Sequence, residues 1–190
     1  RQRRSTTVSY ITGHAVGVDQ KGRYRLDRVL GEGGFGRVYL GYDDELRRQV
    51  AIKVPTKERF QKPEDAEAYL AEARTVASLD HPHIVPVYDM GRTDDGPVYV
   101  ISRFIDGSTL EDRIKSGGLS DRDTAELIAT VATALHFAHQ LRLIHRDVKP
   151  ANILIEDSSN TAFVADFGLA LREEDYLQQN ALAGTPAYMS

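Results

Sequence analysis

The sequence predicts an α+β fold in which a small β-rich lobe with one helix precedes a lobe built mainly from helices. Short apolar runs rich in β-branched residues occupy much of residues 24–104, as expected for strands. After Gly107 the apolar residues fall at helical spacing, and strand patterns return only over residues 153–164. This change of pattern predicts a boundary near Ile105–Ser108.

The composition is that of a folded globular chain. Of the 190 residues, 41% are hydrophobic and 27% are charged, which excludes a disordered, collagen-like or coiled-coil protein. The net charge of −4 gives no overall footprint for nucleic acid. The absence of cysteine excludes disulfides, thiolate zinc sites and a cysteine nucleophile. No apolar run approaches the roughly 18 residues that a membrane span needs.

The first 22 residues differ from the rest of the chain. They show no sustained apolar period and are rich in Ser, Thr, Gly and Arg, so residues 1–22 are predicted to be a basic flexible tail or linker. Residues 1–30 hold seven basic and two acidic side chains, so the net negative charge lies beyond them. Contact of the tail with anionic lipid, nucleic acid or an acidic partner is the alternative to a solvated linker.

Five strands and one helix are predicted in the small lobe. The strands are Tyr24–Leu30, Arg37–Tyr42, Gln49–Val54, Ile84–Asp89 and Val98–Phe104. The helix begins near Pro63, which suits a first turn, and ends at residues 80–82. Its predicted apolar face consists of Ala66, Tyr69, Leu70, Ala73, Val76 and Ala77.

Two helices and two short strands are predicted in the second lobe. A short helix covers Leu110–Lys115, and a long helix over about residues 121–141 is capped by Ser120 or Asp121. The predicted apolar face of the long helix consists of Leu127, Ile128, Val131, Leu135 and Ala138. The strands are Ile153–Ile155 and Ala162–Val164, joined by a turn at residues 157–160.

A glycine-rich run, Gly31-Glu32-Gly33-Gly34-Phe35-Gly36, separates the first two strands. Because glycine lacks a Cβ atom, its backbone N–H groups can approach a phosphate closely, although such runs also occur in plain turns. A dinucleotide-binding fold needs a strand, the loop and then a helix. Here a strand follows the loop, which argues against that class.

Lys53 ends the apolar run Val50-Ala51-Ile52, on the strand predicted to pair with the glycine-rich hairpin. This placement directs its ammonium group toward phosphates below the loop. Glu72, in the middle of the predicted helix, is the candidate partner carboxylate. A solvated helix charge is the alternative for Glu72, and it is the interpretation we favour for Glu67.

The strongest signal is the segment His145-Arg146-Asp147-Val148-Lys149-Pro150-Ala151-Asn152, followed by Asp166-Phe167-Gly168. The first segment places polar groups of different chemistry in one short non-helical stretch beside two apolar strands. A packed core does not need this combination, so these residues are candidates for catalysis.

Together these motifs resemble those of the eukaryotic-like (Hanks-type) Ser/Thr protein kinases, in the style of the bacterial members. The resemblance runs from about Tyr24 to Ser190, with the motifs in the order of the family. It implies a bilobal protein-kinase-like fold, with an antiparallel ATP-binding small lobe over residues 23–105 and an incomplete helical large lobe over 106–190. It implies transfer of the ATP γ-phosphate to protein Ser/Thr hydroxyls, with ATP and Mg²⁺ as cofactors.

The resemblance also implies catalytic roles. Asp147 would orient the substrate hydroxyl and accept its proton, and Lys149 would steady the γ-phosphate. Lys53 would contact the α- and β-phosphates and pair with Glu72. The Mg²⁺ ligands would be Asn152 and Asp166, whose oxygen atoms suit a hard cation.

The nucleotide site implied by the resemblance combines apolar residues around adenine with glycines over the phosphates. The apolar residues are Leu30, Val38, Ala51 and Leu154, and the glycines are Gly31, Gly33 and Gly36. Backbone groups of Arg103 and Ile105 would bond adenine. Ser102 occupies the gatekeeper position, where a larger residue is more usual, so an open back pocket is predicted. Arg103 stands where Glu is common.

The end of the chain, Gly184–Ser190, resembles the substrate-binding loop of Ser/Thr kinases. In that resemblance Thr185 lies near Asp147 and Lys149, so the expected acceptor is Ser or Thr. An apolar stack that links the lobes would consist of Val76, Val87, His145 and Phe167, which gives His145 a structural role.

The segment that follows Asp-Phe-Gly departs from the family pattern. In the family, an arginine at the position of Arg146 accompanies activation by phosphorylation, yet residues 169–183 contain no Ser or Thr. Acidic side chains at residues 173–175 would substitute for the phosphate charge; a mobile acidic loop is the alternative. The chain stops at Ser190, before the expected Pro-Glu, so we expect a piece of a longer kinase, whose activity alone is left open.

The expected partners are ATP and protein substrates with Ser or Thr acceptors, without nucleic acid or a membrane span in this segment. A homodimer is left open. We expect a cytoplasmic location, with membrane anchoring outside this segment left open. The alternative function is a nucleotide-binding pseudokinase or scaffold. The presence of Lys53, Asp147, Asn152 and Asp166 argues against it, since a scaffold has no chemical need for all four.

Overall fold

The chain divides into two compact units, residues 1–71 with 87–104 and residues 72–86 with 105–190. The structure, a computed structural model, describes these segments: residues 9–11, 22–33, 36–56, 63–92, 98–167 and 171–172. An antiparallel sheet dominates the first unit, and helices with short strands form the second. The predicted α+β class is therefore confirmed.

The first unit contains a six-stranded antiparallel sheet in the order β1-β2-β3-β4-β6-β5. Its strands are β1 (Ser9–Ile11), β2 (Tyr24–Gly33), β3 (Gly36–Asp43), β4 (Arg48–Val54), β5 (Val87–Arg92) and β6 (Val98–Arg103). Strand β1 lies inside the segment predicted to be a tail and pairs with the start of β2. The other predicted strands of this lobe are present.

One face of the sheet carries the main apolar core of this unit. The buried cluster consists of Tyr24, Val50, Ile52, Tyr99 and Ile101. Val50 and Ile52 alternate with Ala51 and Lys53 along β4, so the latter two side chains lie on the opposite face. The alternation of the sequence therefore separates the core face from the face that carries the lysine.

The opposite face contacts helix α1 (Pro63–Ala77). The buried residues of this contact are Ala66, Tyr69, Leu70 and Val98. Val100 borders the same cluster and lies directly opposite Lys53 on β4. The predicted apolar face of α1 is confirmed except at Ala77, which is exposed because it is the last residue of the helix.

The sheet is strongly curled. Three strands separate β2 from β5 in the sheet order, yet the Tyr24 hydroxyl donates a hydrogen bond to Oδ2 of Asp89 at 2.6 Å. The neighbouring Arg23 contacts the fully buried Asp43 at 2.8 Å and Asp89 at 3.5 Å. This polar cluster closes the sheet over its core, because it joins the start of β2 to the far edge strand.

Strand β5 begins later than the sequence predicts. The predicted strand starts at Ile84, but the observed one starts at Val87. Ile84 forms a parallel bridge to Val164, and the Val85 N–H donates to the Val164 carbonyl at 2.9 Å. Pro86 follows and has no N–H to continue this pairing, so the chain leaves Val164 there and joins the first sheet at β5.

The second unit contains two more helices, α2 (Leu110–Lys115) and α3 (Asp121–Gln140). Its strands are β7 (Gly107–Thr109), β8 (Leu143–Ile144), β9 (Ile153–Glu156), β10 (Ala162–Val164) and β11 (Leu171–Arg172). They form a three-stranded sheet, β10-β9-β7, and a pair, β11-β8. A buried cluster of Val85, Ile105 and Phe163 lies beside β9 and β10.

Helix α3 begins where the sequence predicts. The Ser120 side chain accepts a hydrogen bond from the Asp123 N–H at 3.1 Å, which satisfies a donor of the first turn. Its buried residues are Val131, Ala134 and Ala138. Ile128, which belongs to the predicted apolar face, is 59% exposed.

Candidate functional site

The glycine-rich hairpin joins β2 to β3 through the pair Gly33 and Gly36. Gly36 has a φ of +134°, and a Cβ atom there would lie 2.3 Å from the Val54 carbonyl oxygen. Only glycine therefore allows β3 to begin this close to the end of β4. Residues 34 and 35 of the run lie outside the described residues.

Gly31 and Gly33 are glycines for a different reason. A Cβ atom at either position would meet no atom of the described residues within 4 Å, so packing against those residues does not require glycine there. As far as the described residues go, the space beside their backbone is open to a ligand. Backbone without side chains beside open space fits a phosphate group, which needs close approach to N–H groups.

Lys53 lies in one row with this hairpin. Gly31 on β2 is opposite Val38 on β3, and Val38 is opposite Lys53 on β4. Val38, Ala51 and Lys53 project from the same half-buried face. Leu30 is exposed at the bulge between Val29 and Gly31. The first unit thus brings a cation, glycine backbone and apolar side chains into adjacent strands.

The segment predicted to bond adenine divides between the two units. Ser102 lies opposite Ala51, and Arg103 ends β6 opposite Val50. Ile105 is buried in the second unit, in the cluster against which Leu154 packs. The roles of Arg103, Ile105 and Leu154 at adenine therefore stay predictions.

Two predicted site residues of the second unit, Lys149 and Asn152, contact the predicted base Asp147. This residue is 8% exposed and lies in the non-helical segment between β8 and a 3₁₀ turn at Pro150–Asn152. Asn152 Nδ2 donates to the Asp147 carbonyl oxygen at 2.8 Å and to its Oδ2 at 3.0 Å. Lys149 Nζ lies 2.7 Å from the same Oδ2. Three residues selected from the sequence thus form one polar cluster, in which Asp147 and Asn152 are buried and Lys149 is partly exposed.

His145 supports this cluster as a neutral ring. Its Nε2 lies 2.8 Å from the Ala165 carbonyl oxygen, and the Asp147 N–H points at its Nδ1 at 3.3 Å. Since a carbonyl only accepts and an N–H only donates, Nε2 carries the proton and Nδ1 accepts. The ring is 1% exposed, and this burial lowers the pKa of His145. It packs on Phe167 with ring centroids 4.5 Å apart, as the predicted structural role requires.

Asp166 directly follows Ala165, whose backbone bonds to both Asn152 and His145. The Ala165 N–H donates to the Asn152 carbonyl at 2.9 Å, and the Ala165 carbonyl accepts from His145. Asp166 itself is exposed and has a φ of +65°, a costly conformation for a residue with a side chain. Ala165 was missed by the sequence analysis because its backbone, not its side chain, makes these contacts.

The donor set fits a magnesium ion. Because Asn152 uses Nδ2 toward Asp147, its Oδ1 oxygen is the atom able to bind a cation, and Asp166 offers a carboxylate. Amide and carboxylate oxygens are suitable Mg²⁺ ligands, and Mg²⁺ commonly completes its shell with water and phosphate oxygens. Within the described part of the chain, no group of three or more His, Cys, Asp or Glu residues forms a metal cluster.

Two other predictions about the site are not tested by the described part of the structure. Glu72 lies on α1 but belongs to the second unit, whereas Lys53 belongs to the first, so their pairing stays a prediction. Thr185 and the acidic residues 173–175 lie outside the described residues.

Residues 24–190 match the protein kinase domain family. The chain belongs to this family. It is 41% identical over 176 residues to the serine/threonine-protein kinase PknB of Mycolicibacterium smegmatis, covering 88% of this chain and 28% of that protein. It is 36% identical to the serine/threonine-protein kinase PrkC of Bacillus subtilis, covering 92% of this chain and 27% of that protein. The chain thus spans less than a third of the length of these relatives.

Solved structures agree with the kinase fold. The Mycobacterium tuberculosis PknI kinase domain superposes with a TM-score of 0.69 at 31% sequence identity, covering 78% of this chain and 61% of that one. The predicted family, its bacterial Ser/Thr style and the protein-kinase-like fold are confirmed. Protein kinases generally use ATP and Mg²⁺. In the described residues, no helix has the length and apolar character of a membrane span.

Proposed function

We propose that this protein is a serine/threonine protein kinase that transfers the γ-phosphate of ATP to Ser or Thr hydroxyls of proteins. The observation that carries the proposal is the Asp147 carboxylate held by Asn152 and Lys149 in a buried cluster. The curated relatives named above are called serine/threonine-protein kinases, which supports this choice of acceptor.

Asp147 is the proposed base. Two donors on its Oδ2 restrict how the carboxylate can rotate, so it can hold an acceptor hydroxyl in one orientation. As the acceptor oxygen bonds to the γ-phosphorus, the bond from that phosphorus to the β–γ bridging oxygen breaks and ADP leaves. The hydroxyl proton passes to Asp147.

Lys149 is the proposed cation for the transferred group. Its ammonium group lies beside the proposed base, close to where the phosphoryl oxygens gather negative charge during transfer. A fixed positive charge in a partly buried site stabilises that charge more than water does. Lys149 is therefore a catalytic residue in this proposal, whereas His145 acts through the backbone of Asp147 and Ala165.

The proposed nucleotide-binding residues are those that the family resemblance implies. The backbone of Gly31, Gly33 and Gly36 would cover the phosphates, and Lys53, paired with Glu72, would contact the α- and β-phosphates. Adenine would lie among Leu30, Val38, Ala51 and Leu154, bonded by the backbone of Arg103 and Ile105. Asn152 and Asp166 would hold Mg²⁺, which supplies positive charge that neutralises the phosphate oxygens. Open space over Gly31 and Gly33 supports this arrangement.

We propose the following domain organisation for the chain. Residues 1–22 would form a basic tail apart from Ser9–Ile11, which pair with β2. Residues 23–105 would form the ATP-binding small lobe, although Ile105 belongs to the second unit, and residues 106–190 would form part of the large lobe. In the last segment, Thr185 belongs to the loop that receives the protein substrate.

Phosphate transfer from radiolabelled ATP–Mg²⁺ to a generic Ser/Thr protein tests the proposal. The 190-residue chain and the complete protein are each assayed beside their Asp147→Asn variants, with Asp157→Asn as a matched change of an exposed aspartate. Label on Ser or Thr that disappears only in Asp147→Asn is expected of the complete protein. Nucleotide binding without transfer by the complete protein would instead indicate a scaffold.

A further inference from the structure

Few side chains join the two strands at the end of the glycine-rich hairpin. The last three cross-strand pairs of β2 and β3 are Gly31 with Val38, Glu32 with Arg37, and Gly33 with Gly36. Among these described pairs, only the second has a side chain on both strands. Contacts between opposite side chains stabilise a strand pair beyond its backbone hydrogen bonds, so at this end of the hairpin that role falls to Glu32 and Arg37.

Glu32 and Arg37 form an ion pair. Oε1 of Glu32 lies 2.9 Å from Nη2 of Arg37, and the two side chains are 60% and 54% exposed. Hydrogen bonding of the guanidinium group to the Glu32 carboxylate, and after it to the Tyr39 side chain, raises the pKa of Arg37. Tyr39 packs against the buried cluster of the sheet. Arg37 thus connects the end of β2 to a residue held by the core of the first unit.

The ion pair lies on the core side of the sheet. Arg37 and Val38 are neighbours on β3, so their side chains project to opposite faces. Val38 is opposite Lys53 on β4, whereas Arg37 is opposite Val54, which packs against the buried cluster. The ion pair therefore holds the hairpin from one face and leaves the Lys53 face, where phosphates are proposed to bind, clear of its side chains.

Glycine backbone needs such a restraint more than other backbone does. Glycine loses more conformational freedom than any other residue when it is fixed in one conformation. Glu32 lies directly between Gly31 and Gly33 on β2, so its bond to the opposite strand restrains the backbone on both sides. A binding loop that is ordered before the ligand arrives has less freedom to lose on binding, which increases affinity.

We infer that Glu32 and Arg37 form a positioning pair that orders the glycine backbone of the hairpin for binding of nucleotide phosphates. The inference rests on the proposed function, in which this backbone covers the phosphates. Neither side chain is proposed to touch the nucleotide. Their contribution is to the affinity for ligands that carry phosphates, and it acts within the first unit.

Charge reversal and exchange in the complete protein test this inference. The variants are Glu32→Arg, Arg37→Glu and the double exchange Glu32→Arg/Arg37→Glu, with Glu32→Gln and Arg37→Gln where a reversal lowers the yield of folded protein. Arg25→Glu is the matched control, because it breaks the exposed Arg25–Asp44 pair, at 3.5 Å, near the other end of β2. Calorimetry measures the dissociation constants of ADP–Mg²⁺ and of adenosine.

Both single reversals are expected to weaken ADP–Mg²⁺ binding about two- to fivefold, the range that exposed ion pairs produce. Binding of adenosine, which has no phosphate, stays unchanged. The double exchange restores the affinity for ADP–Mg²⁺, and Arg25→Glu changes the affinity for neither ligand.

The signs of the two effects separate positioning from a direct effect of charge on the phosphates. Glu32→Arg adds positive charge and Arg37→Glu removes it, so a direct effect would strengthen binding in one variant and weaken it in the other. Effects of opposite sign, wild-type affinity in both reversals, no recovery in the exchange, or an equal loss of adenosine binding each overturn the inference. Absence of nucleotide binding by the wild type overturns the proposed function instead, and the inference with it.

Discussion

A single amide group of Asn152 holds both the backbone and the carboxylate of Asp147, with Nδ2 at 2.8 Å from the carbonyl oxygen and 3.0 Å from Oδ2. Because Asn152 is itself buried, water cannot easily replace it. The proposed base therefore depends on this side chain for its position and on Lys149 for the charge beside it.

Replacement of Asn152 by alanine removes both hydrogen bonds. We expect the free energy of unfolding to fall by about 1–3 kcal/mol, since the buried Asp147 carbonyl oxygen and Oδ2 each lose the bond from Asn152, while Lys149 remains beside Oδ2. We also expect kcat to fall by about 100-fold or more, the contribution typical of a positioned base. Urea unfolding and phosphate transfer measure the two effects. A variant with wild-type kcat would contradict the positioning role of Asn152.

Alanine at three glycines separates packing from ligand binding. Gly36→Ala is expected to lower the free energy of unfolding by about 1–3 kcal/mol, because the conformation is strained and its Cβ meets Val54. Gly31→Ala and Gly33→Ala are expected to keep the wild-type thermal midpoint but weaken ATP binding. Calorimetry on the free and the nucleotide-bound protein distinguishes these effects. Equal destabilisation by all three substitutions would show that the loop glycines share one structural role.

Because the His145 ring is buried, we expect the free energy of unfolding to decrease in acid. Burial lowers its pKa in the folded state, so the unfolded chain binds the extra proton more readily once the pH falls below about 6.5. The free energy of unfolding should therefore be highest above this pH and decrease as the pH falls toward the folded-state pKa. His145→Gln cannot titrate and should show a shallower decrease. Urea unfolding at pH 7.5 and 5.5 measures the loss of stability in the wild type and in His145→Gln. An identical loss in both proteins would exclude His145 as its source.

Ser102 predicts sensitivity to adenine analogues with bulky substituents. Its side chain lies on the same face of the sheet as the opposing Ala51, beside the proposed adenine site. Methionine at this position would fill the space that serine leaves open. We expect Ser102→Met to weaken bulky-substituted adenine inhibitors at least tenfold, and Ser102→Ala to retain them. Inhibition constants measured against ATP decide the matter; unchanged inhibition of Ser102→Met means that the back pocket is not open.

The hydrogen bond from Tyr24 to Asp89 predicts a stability effect without a catalytic one. Tyr24→Phe leaves a carboxylate without its 2.6 Å donor, so the free energy of unfolding should fall by about 1–2 kcal/mol. Tyr42→Phe is the matched control, because Tyr42 is only half-buried on the neighbouring strand. The KM for ATP should stay unchanged in both variants. Urea unfolding measures both effects. An equal loss of stability in Tyr24→Phe and Tyr42→Phe would contradict the role of Tyr24 in closing the sheet.

The local sequence pattern was sufficient to predict most helices and strands and the residues of the candidate site. The alternation of Val50 and Ile52 with Ala51 and Lys53 reflects a strand with one buried face, and Ser120 identifies the start of α3. The motif residues of the catalytic segment are contiguous in sequence, so their proximity around Asp147 needed no knowledge of the fold. The two- and three-residue strands β1 and β8 were missed because they are too short to show a period, whereas the equally short β10 was predicted from its apolar run Ala162–Val164.

Contacts between distant segments were decided by the tertiary structure. Tyr24 and Asp89 meet because the sheet curls, Ile84 turns to Val164 rather than starting β5, and His145 finds the carbonyl of Ala165. None of these pairs has a local signature, since the partners are separated by many residues and backbone atoms supply some of the bonds. Local sequence was enough to identify the family, the chemistry of the side chains and most of the secondary structure. Only the three-dimensional packing decided which of those side chains are held, and by what, because directional contacts depend on the positions of both partners.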